Sequence, residues 1–406
     1  MALAYLAAGR DIRTVILGKN LKGTTHSATG LIAPRPDYLV SDTELVQRTS
    51  FECLRWLRLF YPQILKPKMF LIPIGPELPY NISSVRALFT EYDRTAKIRG
   101  LPGHCIVSQA ILERLEPNLR RSRIEGAVAF NEWTVDPAVL LKKLGREASV
   151  FTDMVKVFHI SDFREFVIQK ETIQSIRAVG SEGEEIRVHN DRGPLVVVTA
   201  SGPWMKDVCA SLGVVIDYRL KAGIQLEIPG WFFRSGVVTF GPDGKYITCL
   251  QKEGVLQVGP TNSDFEGHPD EYIPPDEEIN YLRRTLGNIL GDKKIPEHSG
   301  IRWGFRVKPT VVDTNRPFIW NHASDGVANM YSLHPGKMAL ALLAGDEMLD
   351  RAISDGWLER PKTVTASRLH LDGKRKFRNE FKLLFLKLRA LAKAVFFYVK
   401  FQIKTP

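Results

Sequence analysis

The stretch Leu195-Val196-Val197-Val198-Thr199-Ala200-Ser201-Gly202-Pro203-Trp204 decides how the rest of the chain is read. Three consecutive valines leave no polar face, so the strand they predict is covered on both sides, as in a parallel sheet. Parallel sheets bind ligands beyond the carboxyl ends of their strands. Thr199, Ala200, Ser201 and Gly202 fall at that end. Their small side chains let backbone approach a flat or phosphorylated ligand. Alone, the segment reads first as a buried strand with a tight turn.

Working outward, residues 173–189 read as one or two strands joined at Gly183, and residues 151–160 as another strand. Asp136-Pro137 opens a helix over 136–147, with proline in its first turn. Further back, residues 2–8 read as a short helix and 14–17 as a buried strand. Ser41-Asp42-Thr43-Glu44 offers a cap for a helix over 41–61. Residues 68–74 read as a strand, 83–99 as a helix, and 107–115 as a short helix stopped by Glu116-Pro117. Downstream, 217–229 and 236–258 cluster apolar residues around Gly241-Pro242-Asp243-Gly244, a hairpin signal. Residues 276–290 read as an amphipathic helix and 337–349 as the last helix, with Pro335-Gly336 at its start.

The order of several short motifs resembles a known family. His298-Ser299-Gly300-Ile301-Arg302 is followed by Asn315-Arg316-Pro317 and then by His334-Pro335-Gly336-Lys337-Met338. With Thr199–Lys206, these resemble the flavin-dependent oxidoreductases of the glycine oxidase and glycerol-3-phosphate dehydrogenase group. Leu115-Glu116-Pro117-Asn118 and Thr134-Val135-Asp136-Pro137 look like the anaerobic-type glycerol-3-phosphate dehydrogenase catalytic subunit. The likeness runs from about residue 2 to 350. It implies an α/β protein with a discontinuous Rossmann-like FAD-binding domain of residues 1–50, 130–215 and 296–365. It also implies an antiparallel-sheet cap, or substrate domain, of 51–129 and 216–295, and a basic amphipathic tail of 366–406.

The resemblance also assigns roles. FAD is the implied cofactor. Thr24, Thr25 and Ser27 lie in the hydroxyl-rich loop that passes under the flavin; backbone near Val155 touches the adenine. Ala200, Ser201, Gly202 and Trp204 form the turn beside the flavin, with Gly300 facing it. Gly336, Lys337 and Met338 start the helix that stabilises the reduced ring, and helix-start N–H groups suit that task. Arg302 is the implied substrate arginine, Arg316 a second, and Arg35 an offset replacement for a third. A planar guanidinium suits the phosphate or carboxylate of a small anionic substrate.

Departures from the family are equally specific. Ala33 and Gln225 stand where the two family histidines are expected, and Asp37-Tyr38 replaces an Arg-Tyr pair. His334 and His26 are the candidate substitutes for the missing general base. The glycine loop and first strand of a dinucleotide-binding unit are absent, and Gly18 occupies the place of the ribose-binding acid. A truncated or misassigned start is the expectation. A catalytically silent, membrane-associated relative is the rival reading, and an amine- or 2-hydroxy-acid-oxidising enzyme of the same family is another.

Composition fits these readings. The 406 residues are 44% apolar and 25% charged, ordinary for a globular chain. The net charge of +11 admits anionic substrates or membranes, while no nucleic-acid-binding motif is present. Cys53, Cys105, Cys209 and Cys249 lie too far apart in sequence for a metal motif, and no metal site or iron-sulfur module is expected. A reduced, cytoplasmic compartment follows. Residues 374–404 alternate basic residues with phenylalanine and leucine, with Glu380 as the only acid. This pattern predicts a helix on the inner face of the membrane, where electrons would pass to a quinone.

Overall fold

A computed structural model describes residues 1–19, 23–75, 82–119, 124–149, 153–191, 193, 195–291, 293–311 and 315–360. The expected basic tail lies outside these residues. In chain order the elements are α1 (Ala2–Ala8), β1 (Thr14–Gly18), α2 (Tyr38–Ser41), α3 (Thr43–Phe60), β2 (Lys66–Ile74), α4 (Ile82–Ile98), β3 (Cys105–Ser108), α5 (Gln109–Leu115), β4 (Gly126–Thr134), α6 (Pro137–Ser149), β5 (Val155–Gln169), β6 (Thr172–Gly180), β7 (Glu185–His189) and β8 (Val197–Thr199). They continue with α7 (Met205–Ala210), β9 (Tyr218–Pro229), β10 (Gly236–Phe240), β11 (Tyr246–Lys252), β12 (Val255–Gly259), β13 (Ser263–Phe265), α8 (Asp276–Leu290), β14 (Gly300–Pro309), β15 (Phe318–Asn321), β16 (Met330–His334) and α9 (Ala341–Ser354).

Local chemistry sets the boundaries. Asp42 caps α3, its Oδ1 accepting the Leu45 N–H at 2.9 Å. Asp136 does the same for α6 through the N–H groups of Ala138 and Val139. Acids at 276–278 sit in the first turn of α8, where the helix dipole favours them.

The strands form three sheets. β1 pairs in parallel with β5, and the sheet runs β1-β5-β6-β7. β8 pairs in parallel with β16, in the order β15-β16-β8. Helix α1 links these two small sheets: Leu3 packs with Val196 and Val198, while Ala4 and Ala8 pack with Ile16 and Val155. β1 and β8 each end their sheet, so each keeps one edge without a strand partner among the described residues.

The third sheet is large and mostly antiparallel. Its order is β13-β9-β12-β11-β10-β2-β4-β3, with β14 on β9. One parallel pairing, β10 with β2, joins its two halves. β4 pairs along its length with β2, and β14 pairs with β9 over ten residues. The expected boundary at 130 therefore cuts through β4, and that at 296 assigns β14 to the other domain. Long-range pairing, invisible in a local pattern, sets both memberships. The same applies at 105–108, expected partly as helix: Ile106 and Val107 pair with Val128 and Ala127 as a strand before α5 begins.

Candidate active site

A short 3-10 turn follows each of β1, β8 and β16: Thr24–Ser27, Gly202–Trp204 and Met338–Leu340. β14 packs against the first two turns. The carboxyl ends of the short parallel strands therefore face the inner surface of the large sheet.

Register defines that surface. Across β9 and β14, Gly223 pairs with Gly304 and Gln225 with Arg302. Paired and alternate residues share a face, so Gly300, Arg302, Gly304 and Arg306 line up beside Glu227, Gln225 and Gly223. Two glycines at the centre leave room for the first turn to lie directly on the sheet. A Cβ on Gly304 would sit 2.8 Å from Thr24 Cγ2, and the Phe305 N–H points at Thr24 Oγ1 at 3.5 Å. Gln225 Nε2 donates to the Ser27 carbonyl at 2.5 Å, and Arg302 donates to the His26 carbonyl. Glu227 lies 3.9 Å from the Arg302 guanidinium.

A second group of cations adjoins this face. Arg35 has φ +73°, a left-handed backbone held by a two-point pair with Asp37 at 3.0 and 2.8 Å. Its guanidinium lies between the rings of Tyr38 and Tyr246, 5.2 and 4.6 Å from their centroids. Lys337 Nζ donates to the Pro34 carbonyl at 2.8 Å and sits 4.0 Å from the Tyr38 ring centre. Burial, aided by the charge of Arg35, lowers the Lys337 pKa to about 7. Burial, then the charge of Arg35, also lowers the pKa of Arg306. Arg306 donates to the Thr261 carbonyl at 3.2 Å and Asn262 Oδ1 at 3.0 Å.

Next to Lys337 lies a buried, hydrogen-bonded group. The buried Glu132 carboxylate accepts from Tyr92 and Arg99, and the Arg99 side chain is fully enclosed. Trp56 Nε1 donates to the Ala339 carbonyl at 2.7 Å, fixing the third turn to α3. Burial pushes the Cys53 thiol up to about 12, which keeps it protonated.

The other expected site residues fall as follows. Thr25 and Ser27 lie in the first turn. Val155 begins β5 beside Thr14. Ala200 is exposed, and Ser201 Oγ lies 2.9 Å from Thr199 Oγ1. Gly202 has φ +62°, and a Cβ there would meet nothing within 4 Å. The Trp204 indole donates to Asp270 at 2.9 Å. Gly336, at φ +71°, presses against Asn315, where a Cβ would lie 2.1 Å from the carbonyl oxygen. Met338 opens the third turn.

Three of these placements differ from expectation. Arg316 is committed to the start of α3, 2.6 Å from Asp42 and 2.7 Å from Glu44. His334 is half-buried; desolvation, then the charge of Lys308, lowers its pKa to about 4 and leaves a weakly basic neutral ring. The helix expected from residue 337 starts at Ala341, because Lys337 is extended and a 3-10 turn intervenes. Arg306 and Tyr246 were not expected; four-residue spacing from Arg302, which keeps one face of a strand, is the signal that reveals Arg306 once 300–309 is known to be a strand. A surface cavity of about 370 Å³ lined by Ala222, Phe265, Tyr272 and Glu278 lies elsewhere, on the opposite side of β9.

The residues present fit a flat, anionic cofactor. Gly23 and Gly202 border open space, and His26 Nδ1 is buried without a partner among the described residues. Small-residue turns at parallel strand ends, facing a cation-bearing antiparallel sheet, define an α/β flavoprotein with a cap sheet.

Comparison with known proteins agrees. The family described as "FAD dependent oxidoreductase" (DAO) matches residues 1–351, and the chain belongs to it. FAD is the cofactor of that family. A glycerol-3-phosphate dehydrogenase of Synechocystis sp. is 22% identical over 84% of this chain and 66% of its own length. An aerobic glycerol-3-phosphate dehydrogenase of Staphylococcus saprophyticus is 20% identical over 86% and 62%. The chain thus spans just under two thirds of the length of these relatives. Among solved structures, the FAD complex of glycerol-3-phosphate dehydrogenase from Bacillus halodurans superposes with a TM-score of 0.70 at 16% identity, over 94% of this chain and 68% of that one. Glycine oxidase from Geobacillus kaustophilus gives 0.59 at 17% identity, over 86% and 90%. Among the described residues, no helix is long and apolar enough to cross a membrane, and no His, Cys, Asp and Glu group could hold a metal ion.

Proposed function

We propose that this chain is a dehydrogenase for a small anionic alcohol, with glycerol 3-phosphate the first substrate to test. The observation that carries the reading is the convergence of Arg302, Arg306, Arg35 and Lys337 on the surface facing the three turns. FAD, when bound, supplies the hydride acceptor. Residues 24–27, Ala200, Ser201, Gly202, Gly336 and Met338 would border it, and Val155 would lie near its adenine. Arg302 and Arg306 attract and orient the substrate anion. Lys337, with a pKa near neutrality, takes the hydroxyl proton, a task left open by Ala33 and Gln225. Glycerol-3-phosphate dehydrogenase relatives support this substrate. The discontinuous cofactor domain, the cap, and the passage of electrons to a quinone through a membrane-facing tail belong to the same reading. The composition of residues 374–404 supports the membrane contact.

The test is flavin content of the purified chain, followed by anaerobic bleaching with glycerol 3-phosphate. Bleaching by sarcosine, glycine or a 2-hydroxy acid instead moves the enzyme to the amine- or hydroxy-acid-oxidising branch. A second reading, a catalytically silent relative, is favoured by Gly18, Ala33 and Gln225 at positions where the family carries functional side chains. Absence of flavin with retained binding to anionic vesicles would select it.

A further inference from the structure

The inner face of the large sheet carries polar groups that the proposed reaction leaves unused. Across β12 and β9, Gln257 pairs with Glu227, and across β11 and β12 it pairs with Leu250. Lys252 is two residues beyond Leu250, so it shares the face of Gln257, Glu227 and Arg302. Inward-facing positions on a buried sheet are ordinarily apolar. Here they hold an ammonium and a carboxamide.

Neither group is satisfied. Lys252 Nζ and Gln257 Oε1 are buried, and neither has a hydrogen-bond partner among the described residues. Gln257 is 6% exposed. Its Nε2 donates to Glu227 Oε1 at 3.5 Å, which leaves the oxygen as a free acceptor. An unpaired buried donor or acceptor costs about 1–3 kcal/mol, more when charged. Burial lowers the Lys252 pKa, and Asp136 opposes that shift.

The surroundings of Lys252 are charged. The charged groups acting on Lys252 are Asp136, Arg302, Glu227 and Lys68. Glu116 in turn acts on Lys68, so with Lys252 three cations face three carboxylates, of which Asp136 already accepts two N–H groups of α6. Arg306 lies four residues from Arg302 along β14, about 13 Å at strand spacing, so cations stand on both sides of the Gly223–Gly304 pair.

We propose that Lys252 and Gln257 form a second polar subsite beside Arg302, which takes the far carboxylate or phosphate of a substrate anionic at both ends. Lys252 contacts the anionic oxygen, and Gln257 Oε1 accepts from an adjacent hydroxyl or ammonium. This rests on the proposed oxidoreductase site and narrows its substrate class from one anionic group to two.

Calorimetry on the flavin-loaded full chain tests it with unreactive ligands. Phosphoglycolate and glutarate carry two anionic ends; inorganic phosphate and butyrate carry one. The two-ended ligands should bind at least about tenfold tighter than their one-ended counterparts. The better of the two names phosphate or carboxylate as the far group. Lys252→Met removes a buried charge without removing bulk; it should erase that advantage while leaving inorganic phosphate within about threefold. Lys252→Arg should retain part of it, and Gln257→Leu should lose part. Equal affinities for one- and two-ended ligands, or an advantage that survives Lys252→Met, would overturn the subsite. Flavin reduction by glycerol 3-phosphate without any two-ended preference sinks the subsite alone. A two-ended preference in a chain that no substrate reduces sinks the dehydrogenase reading and keeps the subsite.

Discussion

Gln225 and Arg302 stand opposite one another on β9 and β14, and both reach into the same turn. Gln225 holds the Ser27 carbonyl at 2.5 Å, and Arg302 holds the carbonyl of His26. One residue pair thus fixes the hydroxyl-rich loop to the sheet that would carry the substrate. Loop position and substrate charge are coupled through these two side chains.

Separating them gives a first prediction. Arg302→Met removes a charge and a loop anchor together, and should cost about 2–4 kcal/mol in kcat/KM. Gln225→Leu loosens only the loop. It should weaken flavin retention by about tenfold with a smaller change in substrate KM. Steady-state kinetics and flavin release by equilibrium dialysis distinguish the two patterns.

Lys337 predicts a pH dependence. Its folded pKa, about 7, lies below the ordinary 10.5. Between those values the unfolded chain binds more protons, so stability rises with pH across the window. Below pH 7 the cost is fully present, at most roughly 5 kcal/mol. Lys337→Met should therefore raise Tm relative to the parent most at pH 6, with the difference shrinking toward pH 10. If Lys337 accepts the substrate proton, the rate climbs through pH 7 in the parent and loses that limb in Lys337→Met.

Two glycines separate fold from cofactor. Gly336→Ala forces a Cβ against the Asn315 carbonyl at positive φ and should cost about 2–4 kcal/mol, with flavin lost as a consequence. At Gly202 the space is open, so alanine costs only the backbone strain, about 1–2 kcal/mol. A flavin seated over that turn would nonetheless be displaced. Flavin content falling far more than Tm in Gly202→Ala is the expected result.

The Glu132–Arg99 pair is wholly enclosed. Glu132→Leu leaves Arg99 charged and unpaired, at a cost of about 3–5 kcal/mol. Adding Arg99→Met should recover most of that loss. Urea melts of the single and double variants check the expectation.

Much of the fold could be read in the sequence where the signal is local. The residues of α8, the Asp42 and Asp136 caps and the strand at 197–199 carry their own periodicity and capping groups. What escaped depends on distant pairing. β14 is interrupted by Gly300 and Gly304, so its alternation of Arg302 and Arg306 shows only once β9 is beside it. Arg316 resembles a substrate arginine by motif, yet Asp42 and Glu44, more than 270 residues away in sequence, hold it. His334 looks like a base until Lys308 and burial are counted.

The two small parallel sheets have a consequence for handling the protein. β1 and β8 each present a row of main-chain donors and acceptors that no described strand covers, while α1 shields one flank rather than the rim. Such rims invite pairing with foreign chains. Clumping at high concentration should begin there, and amides along Thr14–Gly18 and Val197–Thr199 should trade their hydrogens for deuterium sooner than those of β9.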